Sequence, residues 1–287
     1  MKSFRQSLFF LLPCLLVWAL MWSCDSPEEQ PENFMDSPEV QRILFHPRTT
    51  GRTPLPAGAE DIAIEVEPGV VIGCRFFSAG KEKPTILFFH GNGEIVADYD
   101  AIGLEYVSYG LNVLVTDYRG YGWSNGTPTF STFLADSHVL YAELKKMLAE
   151  RGYRSAVFLM GRSLGSASAI ELAQAYNDEI SGLIIESGFA ETLPLAKTLG
   201  ADVSAVDITE EETFHNAGKI KEVTKPTFLL HGQRDTLIPL WQAEKLHAES
   251  GARVKELQVV PGADHNSLIS IGGKYYFIAI QQFIKKT

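Results

Sequence analysis

The sequence predicts an α/β fold: a mostly parallel central sheet, helices on both of its faces, and a small helical cap. Two observations predict the sheet. From about Ile62 onward, short β-branched or aromatic runs alternate with longer amphipathic ones, which is the rhythm of β-α units. Several short runs, such as "TILFFH" and "GLIIES", are continuously apolar, as strands buried on both faces must be. A third observation predicts the cap. The stretch 189–223 is too long for a tight crossover and has the composition of short helices.

The elements follow in order. "DIAIEV" and "VVIGCRFF" read as a hairpin bent around Pro68-Gly69. "TILFFH", "LNVLVTDY", "AVFLM", "GLIIES", "TFLLHG" and "VKELQVV" read as six further strands. Helical patterns lie between and after them, at 98–109, 132–151, 166–176, 240–250 and 274–284. No repeat of solenoid length is present. The single domain so described spans 41–287, a length within the range of one large α/β domain.

The chain before it is different in kind. Lys2 and Arg5 precede an apolar run from Leu8 to Trp22, 15 residues long. Spanning a bilayer takes roughly 20 apolar residues, so the run is short for an anchor and suits the apolar core of a signal peptide over 1–23. Ser23-Cys24 then gives way to "DSPEEQPENF", a polar tether over 24–40 expected to be poorly ordered. A small residue before a cysteine at this place resembles a bacterial lipoprotein cleavage site, in which Cys24 becomes the lipidated N-terminus. Met21 and Trp22 depart from the usual residues of that box. The expectation is a lipoprotein anchored in the bacterial cell envelope, with simple secretion into the periplasm or beyond as the alternative.

The net charge is −10, and loss of Lys2 and Arg5 with the leader would make it −12. Such a chain lacks the cationic surface that nucleic-acid binding needs. Of three cysteines, Cys14 would leave with the leader and Cys24 would carry lipid. Cys74 remains alone in a strand, as a small buried hydrophobe with no disulfide partner.

Two stretches match G-x-S-x-G: "GWSNG" at Gly122–Gly126 and "GRSLG" at Gly161–Gly165. The pattern marks a nucleophile only where a strand turns sharply into a helix, with glycines where side chains would clash. Ser163 follows the strand "AVFLM" and precedes the helical "SASAIELAQAY"; free N–H groups at a helix start favour developing negative charge. Ser124 is followed by Gly126-Thr127-Pro128, which blocks an immediate helix, and reads as a residue of a loop walling the site.

A serine hydroxyl needs a base to take its proton and an acid to orient that base. His265, in "PGADHNSL" just after the last strand, is the expected base. Asp235, in "HGQRDTLIP" after the strand before it, is the expected acid, with Glu186 as second choice; Asp264 is adjacent to His265 and poorly placed to orient it. His90 and His231 end strands in His-Gly pairs and are expected to be structural. The oxyanion hole requires two backbone N–H groups. Leu164 should supply one and Asn92, or its neighbour Gly93 in "GNGE", the other.

Taken together, "HGNG", "DYRGYGWSNGTPT", "GRSLG", "HGQRDTLIP" and "GADHN" resemble the α/β-hydrolase superfamily in order and spacing. The likeness extends over about Ile62 to the C-terminus. It is similar in particular to a branch of α/β-hydrolase-domain depalmitoylases and bacterial serine hydrolases. What the resemblance implies is an α/β-hydrolase fold, a Ser163–His265–Asp235 triad, and an oxyanion hole at Asn92 and Leu164. It also implies cleavage of an ester or thioester of a small-molecule or lipid-like acyl substrate through an acyl-enzyme, with no metal or organic cofactor. A serine aminopeptidase-like amide hydrolase is the alternative within the superfamily, and a non-catalytic surface binding protein the alternative outside it.

Overall fold

The computed structural model describes residues 33–202 and 207–287. The expected signal peptide at 1–23 and the lipid-bearing Cys24 therefore lie outside the described residues. Eight strands form one sheet: β1 (Ala59–Glu67), β2 (Val70–Phe77), β3 (Thr85–Phe89), β4 (Asn112–Thr116), β5 (Val157–Arg162), β6 (Gly182–Glu186), β7 (Thr227–Gly232) and β8 (Lys255–Val260). Their order across the sheet is β1-β2-β4-β3-β5-β6-β7-β8. Strand β2 runs antiparallel to both neighbours, and every pair from β4 to β8 is parallel.

The helices are α1 (Pro38–Leu44), α2 (Asp100–Ser108), α3 (Phe130–Glu150), α4 (Gly165–Ala175), α5 (Thr192–Thr198), α6 (Asn216–Lys219), α7 (Leu240–Glu249), α8 (Leu268–Gly272) and α9 (Lys274–Lys286). All residues of β3, β4, β6 and β7 are buried, and the period of two divides them between two apolar layers. Leu87, Phe89, Leu114, Leu159 and Leu229 face one layer with residues of α3, α4 and the cap. Ile86, Phe88, Val113, Met160 and Phe228 face the other with residues of α2 and α9. This is why these strands lack the polar alternation of a one-sided sheet.

Residues 33–40 are structured, contrary to the poorly ordered tether expected there. Asn33 caps a 3-10 turn at Phe34–Asp36, and Ser37 caps α1, whose first residue is Pro38. Met35 and Leu44 are buried, and the Asp36 carboxylate accepts the Ser131 N–H at the start of α3. The high Pro, Glu and Ser content of the longer run 24–40 concealed two caps and an apolar face.

The cap spans α5, a 3-10 turn at Glu210–Glu212, and α6. Its ends are stitched to the main domain. The Gln242 side chain accepts the N–H groups of Ala190 and Glu191, and the Asn216 side chain donates to the Phe189 carbonyl. Glu171 on α4 ties three elements together: it forms an ion pair with Lys219 at 2.5 Å and accepts from the His138 ring of α3 at 3.3 Å. The bond from His138, with help from Lys219 and against the effect of burial, lowers its carboxyl from 4.5 to about 2. Stability from such a lowered carboxyl is full above the unfolded value and is lost as pH falls through the folded one. Glu171→Gln should therefore lower unfolding free energy near pH 7 by about 1 kcal/mol, the shift being discounted for partial exposure. It should also remove part of the stability lost between about pH 4.5 and 2, as urea melts across that range would show.

Candidate active site

The turn between β5 and α4 carries Ser163 in the left-handed region, with φ 51°. A residue with a side chain adopts this conformation only where its surroundings enforce it. Here the surroundings are backbone. A Cβ on Gly161 would lie 2.3 Å from the Gly165 carbonyl oxygen, and one on Gly165 would lie 2.2 Å from that of Phe89. Glycine at both positions lets α4 approach β3 and β5 closely enough to force the turn. The Ser163 N–H donates to the Glu186 carbonyl at 2.9 Å, and both the N–H and the hydroxyl of Ser166 donate to the Ser163 carbonyl. The serine thus stands at the carboxyl end of the sheet at the start of a helix.

Two loops from the same end meet it. His265 follows β8, and its Nε2 lies 2.9 Å from Ser163 Oγ. Its Nδ1 lies 2.7 Å from Oδ2 of Asp235, which follows β7. A carboxylate only accepts, so Nδ1 carries the proton and Nε2 is free to accept from the serine hydroxyl. The other Asp235 oxygen accepts the N–H groups of Leu237 at 3.0 Å and Ile238 at 2.8 Å. Ser163, Asp235 and His265 are all buried, at 8%, 6% and 8% exposure, so the chain of three is shielded from competing water.

The two histidines that end strands form supports. His231 Nε2 donates to the Ile238 carbonyl at 2.7 Å, fixing the loop that carries Asp235; burial holds its pKa below the ordinary value. His90 pairs through Nε2 with Asp117 at 3.1 Å beneath the loop after β3. Asp117 in turn accepts the Val96 N–H. Glu186, the second-choice acid, does not reach His265 by a hydrogen bond. It is buried beside Arg162, whose Nε lies 3.3 Å away, and it accepts from the Tyr276 hydroxyl at 2.5 Å. Burial raises its carboxyl above the ordinary range despite Arg162. Asp264 accepts from its neighbours Asn266 and Ser267 instead.

A cavity of about 320 Å³ opens onto Ser163 and His265. Asn92, Gly93 and Leu164 line it, as do apolar residues of the cap region, Phe189, Leu195, Leu199 and Phe214. The carboxylates in its lining, Glu94 and Asp98, are each held by an arginine, Arg162 and Arg48. The acidic turn Glu210–Glu212 of the cap does not line it: Glu210 caps α5 by accepting the N–H groups of Thr192 and Leu193. Among the described residues, no group of three or more His, Cys, Asp or Glu side chains is placed to hold a metal ion.

The loop at Gly122–Gly126 is not part of this wall, contrary to expectation. Ser124 is buried and accepts the Gly73 N–H on β2 at 2.8 Å, while Asn125 bonds both Val71 and Gly69. The loop fastens β2 and, through Gly122, whose N–H donates to the Arg48 carbonyl and whose carbonyl accepts the Thr50 N–H, the segment ahead of β1. Tyr121, just before it, reaches toward the site, donating to the Asn92 side chain at 2.6 Å.

One wall was not foreseen. Leu44, His46 and Arg48, from the segment ahead of β1, line the cavity. The Asn92 side chain holds this segment, donating to the Leu44 carbonyl at 2.9 Å and accepting the His46 N–H at 2.8 Å. No local pattern announces this, since 48 residues separate Leu44 from Asn92; the asparagine in "GNGE" was the only available signal.

A family model described as serine aminopeptidase, S33, matches residues 80–206. The chain is 28% identical over 244 residues to the Arabidopsis thaliana alpha/beta hydrolase domain-containing protein WAV2, covering 79% of each. It is 29% identical over 223 residues to human alpha/beta hydrolase domain-containing protein 17B, covering 75% of this chain and 71% of that one. Among solved structures, the Pyrococcus furiosus esterase Pf2001 superposes with a TM-score of 0.69 at 20% identity, covering 84% of this chain and 98% of the esterase. With its sheet order, its strand-to-helix turn and these likenesses, the chain has the α/β-hydrolase fold.

Proposed function

We propose that the protein is a serine hydrolase that cleaves carboxylic esters or thioesters through an acyl-enzyme. The observation that carries this reading is the continuous hydrogen-bonded chain from Ser163 through His265 to Asp235, opening onto a cavity with an apolar wall at Phe189, Leu195, Leu199 and Phe214. In this reading Ser163 Oγ attacks the carbonyl carbon as its proton passes to His265 Nε2. Asp235 orients the ring and stabilises the imidazolium that forms. The negative oxygen of the tetrahedral intermediate is met by backbone N–H groups of Leu164 and of Asn92 or Gly93. His265 then protonates the departing alcohol or thiol, and a water activated by the same histidine releases the acid.

Esters and thioesters are favoured over amides by the cavity. An aminopeptidase must hold a free amine, and the carboxylates in the lining are already paired with arginines. The depalmitoylase-like resemblance and the esterase neighbour point the same way. The outer residues, Cys24 above all, belong to a second proposal: that the enzyme is anchored in a bacterial cell envelope by an N-terminal lipid. Among the described residues, no helix is long and apolar enough to cross a membrane. Fractionation of a Cys24→Ala variant tests this; release from the membrane is the expected result, and retention overturns it.

Two measurements test the catalytic reading. A fluorophosphonate probe should label the folded protein, and Ser163→Ala should abolish both labelling and turnover of short-chain p-nitrophenyl esters; labelling that survives the substitution overturns the assignment. In a panel of acyl esters, thioesters and aminoacyl amides, turnover confined to the amides would establish the aminopeptidase reading instead. Asp235→Asn should lower kcat by about 10⁴-fold while the protein stays folded, because the ring loses the acceptor that fixes its tautomer.

A further inference from the structure

Arg162, the variable residue before the serine in "GRSLG", is 8% exposed and uses both edges of its guanidinium. Its Nη2 donates to the carbonyl oxygen of His265 and to Asn266 Oδ1, each at 3.0 Å. Its Nη1 pairs with Glu94. The second oxygen of Glu94 accepts the Gly91 N–H at 2.7 Å and the Tyr99 hydroxyl at 2.6 Å, closing the loop that carries Asn92 and Gly93. Its Nε faces Glu186, itself fixed by Tyr276, whose hydroxyl lies 3.1 Å from that of Tyr106. Room for the clamp is built in: a Cβ on Gly91 would lie 2.5 Å from Arg162 Nη1 and 2.9 Å from Glu94 Oε2.

We propose that Arg162 and Glu94 form a positioning clamp that sets the His265 loop and the Asn92–Gly93 loop in register with Ser163. The inference rests on the serine-hydrolase reading for its catalytic consequence, though not for its geometry. Arg162 is covalently next to the nucleophile, so every bond it makes is referenced to Ser163. It touches the peptide unit of the base on one side and, through Glu94, the turn that presents the oxyanion N–H groups on the other. A displacement of about 1 Å in either loop is enough to cost roughly 100-fold in rate. A planar fork with five donors holds both loops at fixed angles, which an ammonium group cannot do.

Glu94→Gln and Arg162→Lys test the clamp, each keeping most of the side-chain volume. Both should lower kcat on p-nitrophenyl esters by about 10- to 100-fold with KM within about threefold, counted per site titrated by the fluorophosphonate. Both should also broaden or shift the downfield proton resonance of His265 Nδ1–H, identified by its loss in Asp235→Asn, at temperatures where circular dichroism shows the native fold. Recovery of wild-type kcat by Arg162→Lys would mean that only the charge matters and overturns the fork. An unchanged resonance in both variants overturns the clamp. The resonance is read whether or not the protein turns over an ester, so a wild type without ester activity counts against the serine-hydrolase reading alone.

Discussion

The turn at Ser163 is the constraint on which the remaining architecture depends. A left-handed residue with a side chain is unfavourable by itself, and here it is held by a helix that lies almost against the sheet. That approach requires Gly161 and Gly165, whose positions have no space for a Cβ. It also requires an apolar face on β3 and β5 toward α4, which Leu87, Phe89 and Leu159 supply. The same turn aims Ser163 Oγ at the loops after β7 and β8, so one local strain defines where the two other groups must arrive. In a parallel sheet those loops emerge at the same edge, and the three residues meet without any long excursion of the chain.

Charge in this site is arranged in layers. Nearest the serine is His265 with its partner Asp235. Below it lies a buried set of one arginine and two glutamates, in which the glutamate nearer the cavity is held low by Arg162, the Tyr99 hydroxyl and a backbone N–H, while burial pushes the deeper one up. Buried ion pairs are costly to desolvate and bring little net stability, so their place here is better understood as geometric than as stabilising. The set joins β3, β5, β6 and the β8 loop, which are the elements that supply the site.

Most of the fold was legible because buried parallel strands leave continuous apolar runs and their helices leave clear periodicity. Each of the eight strands falls on a run visible in the sequence, and Ser163, His265 and Asp235 stand where the ends of three of those runs placed them. What stayed hidden was held by side chains acting over long separations. Asn92 fastens a segment 44 to 48 residues earlier; Arg162 bonds a carbonyl 103 residues later. Ser124 keeps the letters of a nucleophile motif and serves β2. The stretch at 33–40 looked like a tether because it closes a polar run that begins at Cys24, whereas its order comes from two caps and buried side chains. Composition reports an average, and these contacts are made by individual residues.

The segment fastened by Asn92 also belongs to the working unit. The strand pattern itself begins only at β1, and a fragment cut to the strands would open there, inside the domain at 41–287 that the sequence predicts. Such a fragment would keep the whole sheet yet lack Leu44, His46 and Arg48, three residues of the cavity wall. It would also leave the amide of Asn92 without its Leu44 and His46 partners, in the loop beside the serine. A fragment that opens at or before Asn33 keeps α1 with its caps and the wall intact, so the unit begins with a segment that Asn92, Tyr121 and Gly122 hold in place ahead of the sheet.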